Sequence, residues 1–251
     1  FNGFALTSRG KRAVEEVIEG IGIPKYRGSD LQVPFQHGKR WIKKRLDSRK
    51  VVLSMWIKGT SRADLDDNID AFLKAIGNPG LHALVRTMMN GETRQAQAEI
   101  CSEINFVRKN PGYAKFALEL ELADPFFYGT IKSTTSKMVT SSPFSWTHVN
   151  DGSAPVTAMI ITLEGPLSNP ILKNQNNGVW LQYLGTIVSG ETVVLDTRYF
   201  TCLQGDENMI SIVKHGGDAY WMILESGNNS IELETDTIGG RVTLEYYPAF
   251  Y

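Results

Sequence analysis

The chain has 251 residues, 42% of them hydrophobic and 21% charged, with a net charge of −1; that is the composition of a globular protein with apolar mass for sizeable cores. The balanced charge excludes a global field that would draw the chain to polyanions. No apolar run approaches the roughly 20 residues of a membrane-spanning helix, and the two cysteines, Cys101 and Cys202, are too far apart for a metal or redox motif, reading as separate thiols of a protein assembled in a reducing cytoplasm.

The opening FNGFALTSRGKR carries no h-region of a secretory signal. Gly20 and Gly22 imitate a dinucleotide fingerprint, but Lys25 stands at the third glycine's position. A basic run follows, Lys39, Arg40, Lys43, Lys44, Arg45, Arg49 and Lys50. From Arg45 the odd positions read Arg45, Asp47, Arg49, Val51, Leu53, Met55, Ile57, and this period of two predicts one strand from Arg45, stopped by Gly59. Arg45, Asp47 and Arg49 then project from one face as an ionic ladder. With Asp47 inside the run and Asp30 flanking it, the charge is partly neutralised, whereas a nucleic-acid footprint needs unpaired positive charge interleaved with aromatics. Pairing across a subunit boundary suits the planar arginine fork better.

A helix is predicted next. Ser61 is its N-cap, with Asp64 three residues on, and Leu65, Ile69, Phe72, Leu73 and Ile76 form its apolar face. Gly77 can take a left-handed cap and Pro79 forbids continuation. Within it, DLDDN at 64–68 imitates a calcium loop, but Ile69 replaces the required glycine. LHALVRTMM then reads as a strand, Asn90-Gly91 as a hairpin turn and TRQAQAEICSEINFV as the return. AKFALELEL alternates cleanly, and Asp124-Pro125 with FFYG closes the unit near Gly129-Thr130.

Composition then shifts to a Ser/Thr-rich stretch in which IKSTTSKMV is β-prone. Beyond Val156 short strands (VTAMIITLEG, PILKN, VWLQYLG, ETVVLDT, YFTCLQG, YWMILESG, SIELETD, RVTLEYYP) alternate with turns such as Asn177-Gly178 and Gly239-Gly240, the spacing of an antiparallel sandwich. The chain is α+β first and all-β second.

Signals for chemistry are sparse. His37, His82, His148 and His215 have no ligand-spaced partners. Asp196, Glu225, Glu232 and Glu234 include a glycosidase pair in principle, but Glu232 and Glu234 alternate with Ile231 and Leu233 as on a solvated strand face. Trp180, Tyr183, Tyr220 and Trp221 suit stacking on a sugar, while their alternation with apolar residues favours core packing.

The order of parts resembles the distal tail proteins of long-tailed, non-contractile bacteriophages. The likeness rests on FNG at 1–3, the R-x-D-x-R-x-V-x-L-x-M-x-I-x-G frame of 45–59, the helix at 61–76 and ADPFFYG at 123–129. VNDGSAPVTAMIITLEG, SGETVVLDT and RVTLEYYP continue it in the second half. The resemblance implies a mainly β structural virion protein. Residues 1–129 would be a ring-forming domain with one helix packed on antiparallel strands, and residues 130–251 a galectin-like, jelly-roll sandwich. It implies a hexameric ring at the tail tip that joins the tail tube protein to tail-associated hub and receptor-binding proteins, with DNA passing through the lumen. No enzymatic activity, cofactor, metal, membrane segment or sequence-specific nucleic acid is expected. Arg45, Asp47 and Arg49 are the expected subunit-interface residues. The alternative function is a carbohydrate-binding module of a phage tail, contacting host glycans through Trp180, Tyr183, Tyr220 and Trp221.

Overall fold

The strongest alternation in the sequence makes the central strand of the first half. The computed structural model describes residues 1–251 and comprises two units, residues 1–127 with Tyr251 and residues 128–250; antiparallel strands dominate both, and the single α-helix belongs to the first. In chain order the first unit holds β1 (Arg12–Glu19), β2 (Tyr26–Arg27), β3 (Arg45–Leu46), β4 (Arg49–Lys58), α1 (Arg62–Ile76), β5 (His82–Thr87), β6 (Thr93–Ile100), β7 (Val107–Asn110) and β8 (Tyr113–Leu122). Its main sheet runs β1-β4-β8-β6, with β5 paired to β6 and β7 to β8. β4 pairs with β8 along its whole length, from Arg49 opposite Leu122 to Lys58 opposite Tyr113. Because side chains alternate across a strand, Val51, Leu53, Met55 and Ile57 share one buried face with Ala114, Phe116, Leu118 and Leu120 of β8.

Helix α1 starts where expected. The Ser61 hydroxyl accepts from the Asp64 N–H at 3.2 Å, and the Asp64 carboxylate accepts from the Thr60 N–H at 2.7 Å. It buries Leu65, Ile69, Phe72 and Ile76. Phe72 meets Phe116 edge-on at 5.0 Å between ring centroids, and Phe106 lies 4.7 Å from Phe116. Four details differ from the sequence reading. Leu73 is exposed, one position off the buried stripe. Gly77 remains right-handed at φ −75°, its N–H closing on Leu73 O at 2.8 Å, so the positive φ falls instead on Gly80. The return strand stops at Ile100, and Cys101 is exposed. The strand expected from Arg45 is interrupted at Asp47-Ser48: the Asp47 N–H donates to Lys25 O at 2.7 Å, and its carboxylate turns back onto the Ser48 N–H at 3.0 Å. Asp47 thereby satisfies a local turn in place of a ladder.

β9 (Phe127–Gly129) lies where one unit gives way to the next. The second unit continues with β10 (Ser133–Met138), β11 (Phe144–Asn150), β12 (Ile160–Glu164), β13 (Leu167–Ser168), β14 (Ile171–Asn174), β15 (Val179–Tyr183), β16 (Thr186–Ile187), β17 (Thr192–Asp196), β18 (Thr201–Gln204), β19 (Glu207–Asn208), β20 (Val213–Gly216), β21 (Gly227–Glu234), β22 (Arg241–Tyr246) and β23 (Ala249–Phe250). One sheet runs β10-β22-β12-β17-β18-β19 and the other β11-β21-β14-β15-β20. Hydrogen bonds tie the two sheets through their interior, His148 Nε2 to Tyr246 Oη at 2.8 Å and Tyr183 Oη to Gln204 Oε1 at 2.6 Å. YWMILESG is not a strand beyond an isolated bridge at Leu224. Buried amides hold that segment instead: Asn174 Nδ2 donates to Ile223 O at 2.8 Å, and Asn229 receives the Glu225 N–H and returns a bond to Glu225 O, both at 2.8 Å. These side chains supply the partners that a ladder would have supplied.

Two outcomes follow from this packing. A Cβ at Gly59 would stand 2.3 Å from Leu65 N, and the Gly59 N–H already donates to Gly112 O at 2.9 Å. Gly59→Ala is expected to cost about 1–3 kcal/mol through overpacking between strand and helix, read as a lower melting temperature. Burial, the largest influence, holds the His148 imidazole below its ordinary value, with Asp151 opposing and Lys137 assisting. The folded unit keeps His148 neutral while the unfolded chain takes up a proton below a pH of about 6.5. Stability is therefore complete above that pH and falls as pH drops toward the lowered folded value. An NMR titration should place the His148 midpoint below that of a free histidine, and His148→Phe should shrink the fall in melting temperature between neutral and mildly acid pH.

Candidate functional site

The basic run resolves into an ordered arm. β1 and β4 pair directly, with register shifts at Val14/Glu16 and Val17/Glu19, so the residues between them form one long connection that leaves and re-enters at adjacent strands. At its base Tyr26 pairs with Leu46 and Arg27 with Arg45. Further out, Leu31 and Arg40 exchange backbone hydrogen bonds of 3.0 and 2.8 Å. Asp30 organises the middle. Its carboxylate pairs with Lys39 and, at 3.4 Å, with Lys44. The Lys39 hydrogen bond, aided by the Ile42 N–H and the lysine charges, holds the Asp30 carboxyl below the usual carboxylate range against the opposing effect of desolvation. Apolar side chains meanwhile point to solvent: Leu31, Trp41 and Ile42 are exposed, and Phe35 at the tip is fully so, in the left-handed region at φ +64°. Bulky residues rarely take that conformation, and contiguous exposed apolar groups mark interaction surfaces.

Beside the arm's root the first unit opens into an apolar cleft of ≈ 870 Å³. The N-terminal segment contributes Phe1, Phe4 and Leu6, β1 contributes Val14 and Val17, β4 Val51 and Leu53, and β5 Leu84 to Thr87. Arg86 is the charged side chain of this lining, and Phe127 and Gly20 stand in its wall. Behind them lies Arg49, only 3% exposed, its Nη1 donating to Gly20 O at 2.9 Å and its guanidinium 5.3 Å from the centre of the Phe127 ring.

Arg45, Asp47 and Arg49 thus do not form one ladder. Arg45 is half-buried in the β2/β3 base, Asp47 is committed to Ser48, and Arg49 points into the unit. Elsewhere in the run Lys39 and Lys44 go to Asp30, and Lys50 pairs with Glu119 at 2.5 Å. The four aromatics singled out in the second unit separate as well. Tyr183 and Trp221 are buried, Trp221 against Phe200 at 5.6 Å. Trp180 lies on the opposite face of β15 from Tyr183, half-buried where its indole covers Gly216, and Tyr220 is half-buried. The sequence did not point to Arg86 or to the N-terminal phenylalanines, whose role depends on which strands β5 and the N-terminal segment lie beside. No cluster of three or more His, Cys, Asp or Glu side chains is arranged to hold a metal, and no helix is long and apolar enough to cross a membrane.

With this geometry in hand, likeness to known proteins becomes informative. Residues 12–122 match the family described as phage tail protein RIFT-related domain. Among solved structures the chain is similar to the SPP1 Dit (gp 19.1) protein, described as a paradigm of the hub adsorption apparatus in phages infecting Gram-positive hosts. The TM-score is 0.66 and the identity 14%, over 94% of this chain and 93% of that one. Components of the phage P2 baseplate in its activated conformation, with calcium and with strontium, align at 9% and 8% identity, with TM-scores of 0.40 and 0.41, over 94% and 95% of this chain and 91% of theirs; likeness at that level carries no argument. No curated protein sequence matches the chain.

Asp30 is the group on which the arm's order turns. Asp30→Asn removes the charge that gathers Lys39 and Lys44, and should raise amide exchange and proteolytic cutting across residues 28–44 while leaving β4 and β8 protected. Since the folded carboxyl is held low, the wild-type arm should keep this order above the usual carboxylate range and lose it as pH falls through the lowered value.

Proposed function

We propose that the chain is a structural phage tail protein and acts as a distal tail adaptor: its residues 12–122 match the family of phage tail protein RIFT-related domains, and it shares the fold of the SPP1 Dit protein over 94% of its length. It self-associates into a hexameric ring at the tail tip, joins the tail tube to the hub and receptor-binding proteins, and leaves a lumen for DNA. The reading assigns the chain no catalysis and places its assembly in the bacterial cytoplasm.

The observation that carries this reading is the arm. An ordered, charge-pinned hairpin with Leu31, Phe35, Trp41 and Ile42 facing solvent is costly in water and makes sense as a contact element. Its order matters because a pre-formed element loses less conformational entropy on docking than a flexible loop. Heterologous contacts of this kind close into rings when the rotation between subunits allows. Arg45, at the arm's base, is placed near this contact. Asp47 and Arg49 serve it indirectly, by shaping the root from which the arm leaves.

The double variant Phe35→Ser/Trp41→Ser tests the proposal. Both side chains are exposed, so the isolated chain should melt within about 0.5 kcal/mol of wild type. Each buried aromatic anchor at an interface contributes about 2 kcal/mol or more, so ring formation should weaken strongly. Solution mass at high concentration and images of assembled tails read the outcome, and normal incorporation of the variant would refute the arm as the ring contact.

A further inference from the structure

The apolar cleft of the first unit carries an unanswered charge at one end. Arg49 is 3% exposed and makes one hydrogen bond, to Gly20 O at 2.9 Å; its Nε and Nη2 have no acceptor. Arg86 lines the cleft itself, half-buried, and its guanidinium has neither a hydrogen bond nor an ion pair within the chain. The two arginines are close enough that Arg86 joins burial in lowering the basicity of Arg49. Neither has a carboxylate within ion-pair distance. Buried charges in folded proteins are normally paired and hydrogen-bonded, because desolvating an ion without a counter-charge is strongly unfavourable.

Elsewhere in the unit cations do find counter-charges: Lys39 and Lys44 meet Asp30, Lys50 meets Glu119, and Lys115 meets Glu15 at 2.7 Å. Arg49 and Arg86 instead stand at the apolar cleft walled by Phe4, Leu6, Val14, Val17, Val51 and Leu53. The ligand that satisfies both features has an apolar body and a single anionic end. A nucleic acid does not fit: its regular line of phosphates needs a hydrated, basic groove, and this lining is mostly apolar, with Arg86 its charged side chain. A carboxylate matches the planar arginine fork, which binds it through two parallel N–H bonds.

We infer that this cleft receives a segment of a partner protein in which apolar side chains surround one carboxylate. The carboxylate meets Arg86 directly, with Arg49 behind it supplying the second positive charge, and the apolar side chains fill the space above Val51 and Leu53. That the partner belongs to the assembled tail rests on the function proposed above; the chemistry of the cleft does not.

The test uses the isolated full-length chain and two probes of equal chain length, hexanoate and hexan-1-ol, titrated at neutral pH and followed by NMR shifts of the Val51, Leu53 and Leu84 methyl groups. Hexanoate should bind at least tenfold more tightly than the alcohol. Arg86→Gln should abolish that preference while leaving hexanol binding unchanged, and the preference should fade as pH falls through the carboxylate's own pKa. Equal binding of the two probes, no binding of either, or full preference in Arg86→Gln would overturn the inference. So would inorganic phosphate competing as well as hexanoate, which would identify a plain anion site. These readouts need no oligomer, so their failure leaves the ring reading standing, and a failed ring would leave a carboxylate preference intact.

Discussion

The structure of the first unit depends on one face of β4. Along it a cation, Arg49, is followed by Val51, Leu53, Met55 and Ile57 at a spacing of two, and all five are buried. The strand is central, held by β1 on one side and β8 on the other, so it has no freedom to slip: a shift of one residue would turn the apolar set outward and bring Lys50 and Lys58 in. Its far end is covered by α1, allowed to approach closely by Gly59. Its near end is covered only partly, by the N-terminal segment and β5, and the uncovered part is the cleft. Coverage and cleft are thus two consequences of one helix lying over one half of one strand.

The arm follows from the same pairing. Because β1 and β4 are neighbours, the residues joining them can be numerous without breaking the sheet, since closing a longer loop adds entropy only logarithmically. What needs explanation is the order of the loop. Two-residue pairing at the base, one bridge at Leu31 and Arg40, and the Asp30 carboxylate between two lysines provide it. Surface ion pairs contribute little alone, but here a nearly enclosed carboxylate serves two cations and a backbone N–H at once. The resulting element is held together where its charges meet and is apolar where it faces solvent.

In the second unit, polar groups perform work that strands perform elsewhere. Asn150, Asn174 and Asn229 are buried and fully engaged with the backbone around Ile223–Gly227. This lets Trp221, Met222, Ile223 and Leu224 bury their side chains without a continuous ladder. The aromatic residues consequently serve packing: Tyr183 and Trp221 are inside, and Trp180 is laid over Gly216. A sandwich that spends its aromatics internally presents no shared platform formed by these four rings.

The sequence by itself determined the elements whose pattern is local. The period of two in β4 and β8, the capped helix from Ser61, the Asn90-Gly91 turn and the run of short strands beyond Val156 were all legible, because alternation, capping and turn chemistry act within a few residues. Only the tertiary structure decided where charge goes. Asp47 satisfied its own turn, Asp30 reached across the arm to Lys39 and Lys44, and Arg49 was turned inward beside an Arg86 that stands 37 positions later in the chain. It also decided that YWMILESG is held by amides from three other strands and that Trp180 and Tyr183 face opposite ways. Burial and partner choice are sums over the whole fold, so a charge or a ring written in the sequence acquires its role only when the chain has closed around it.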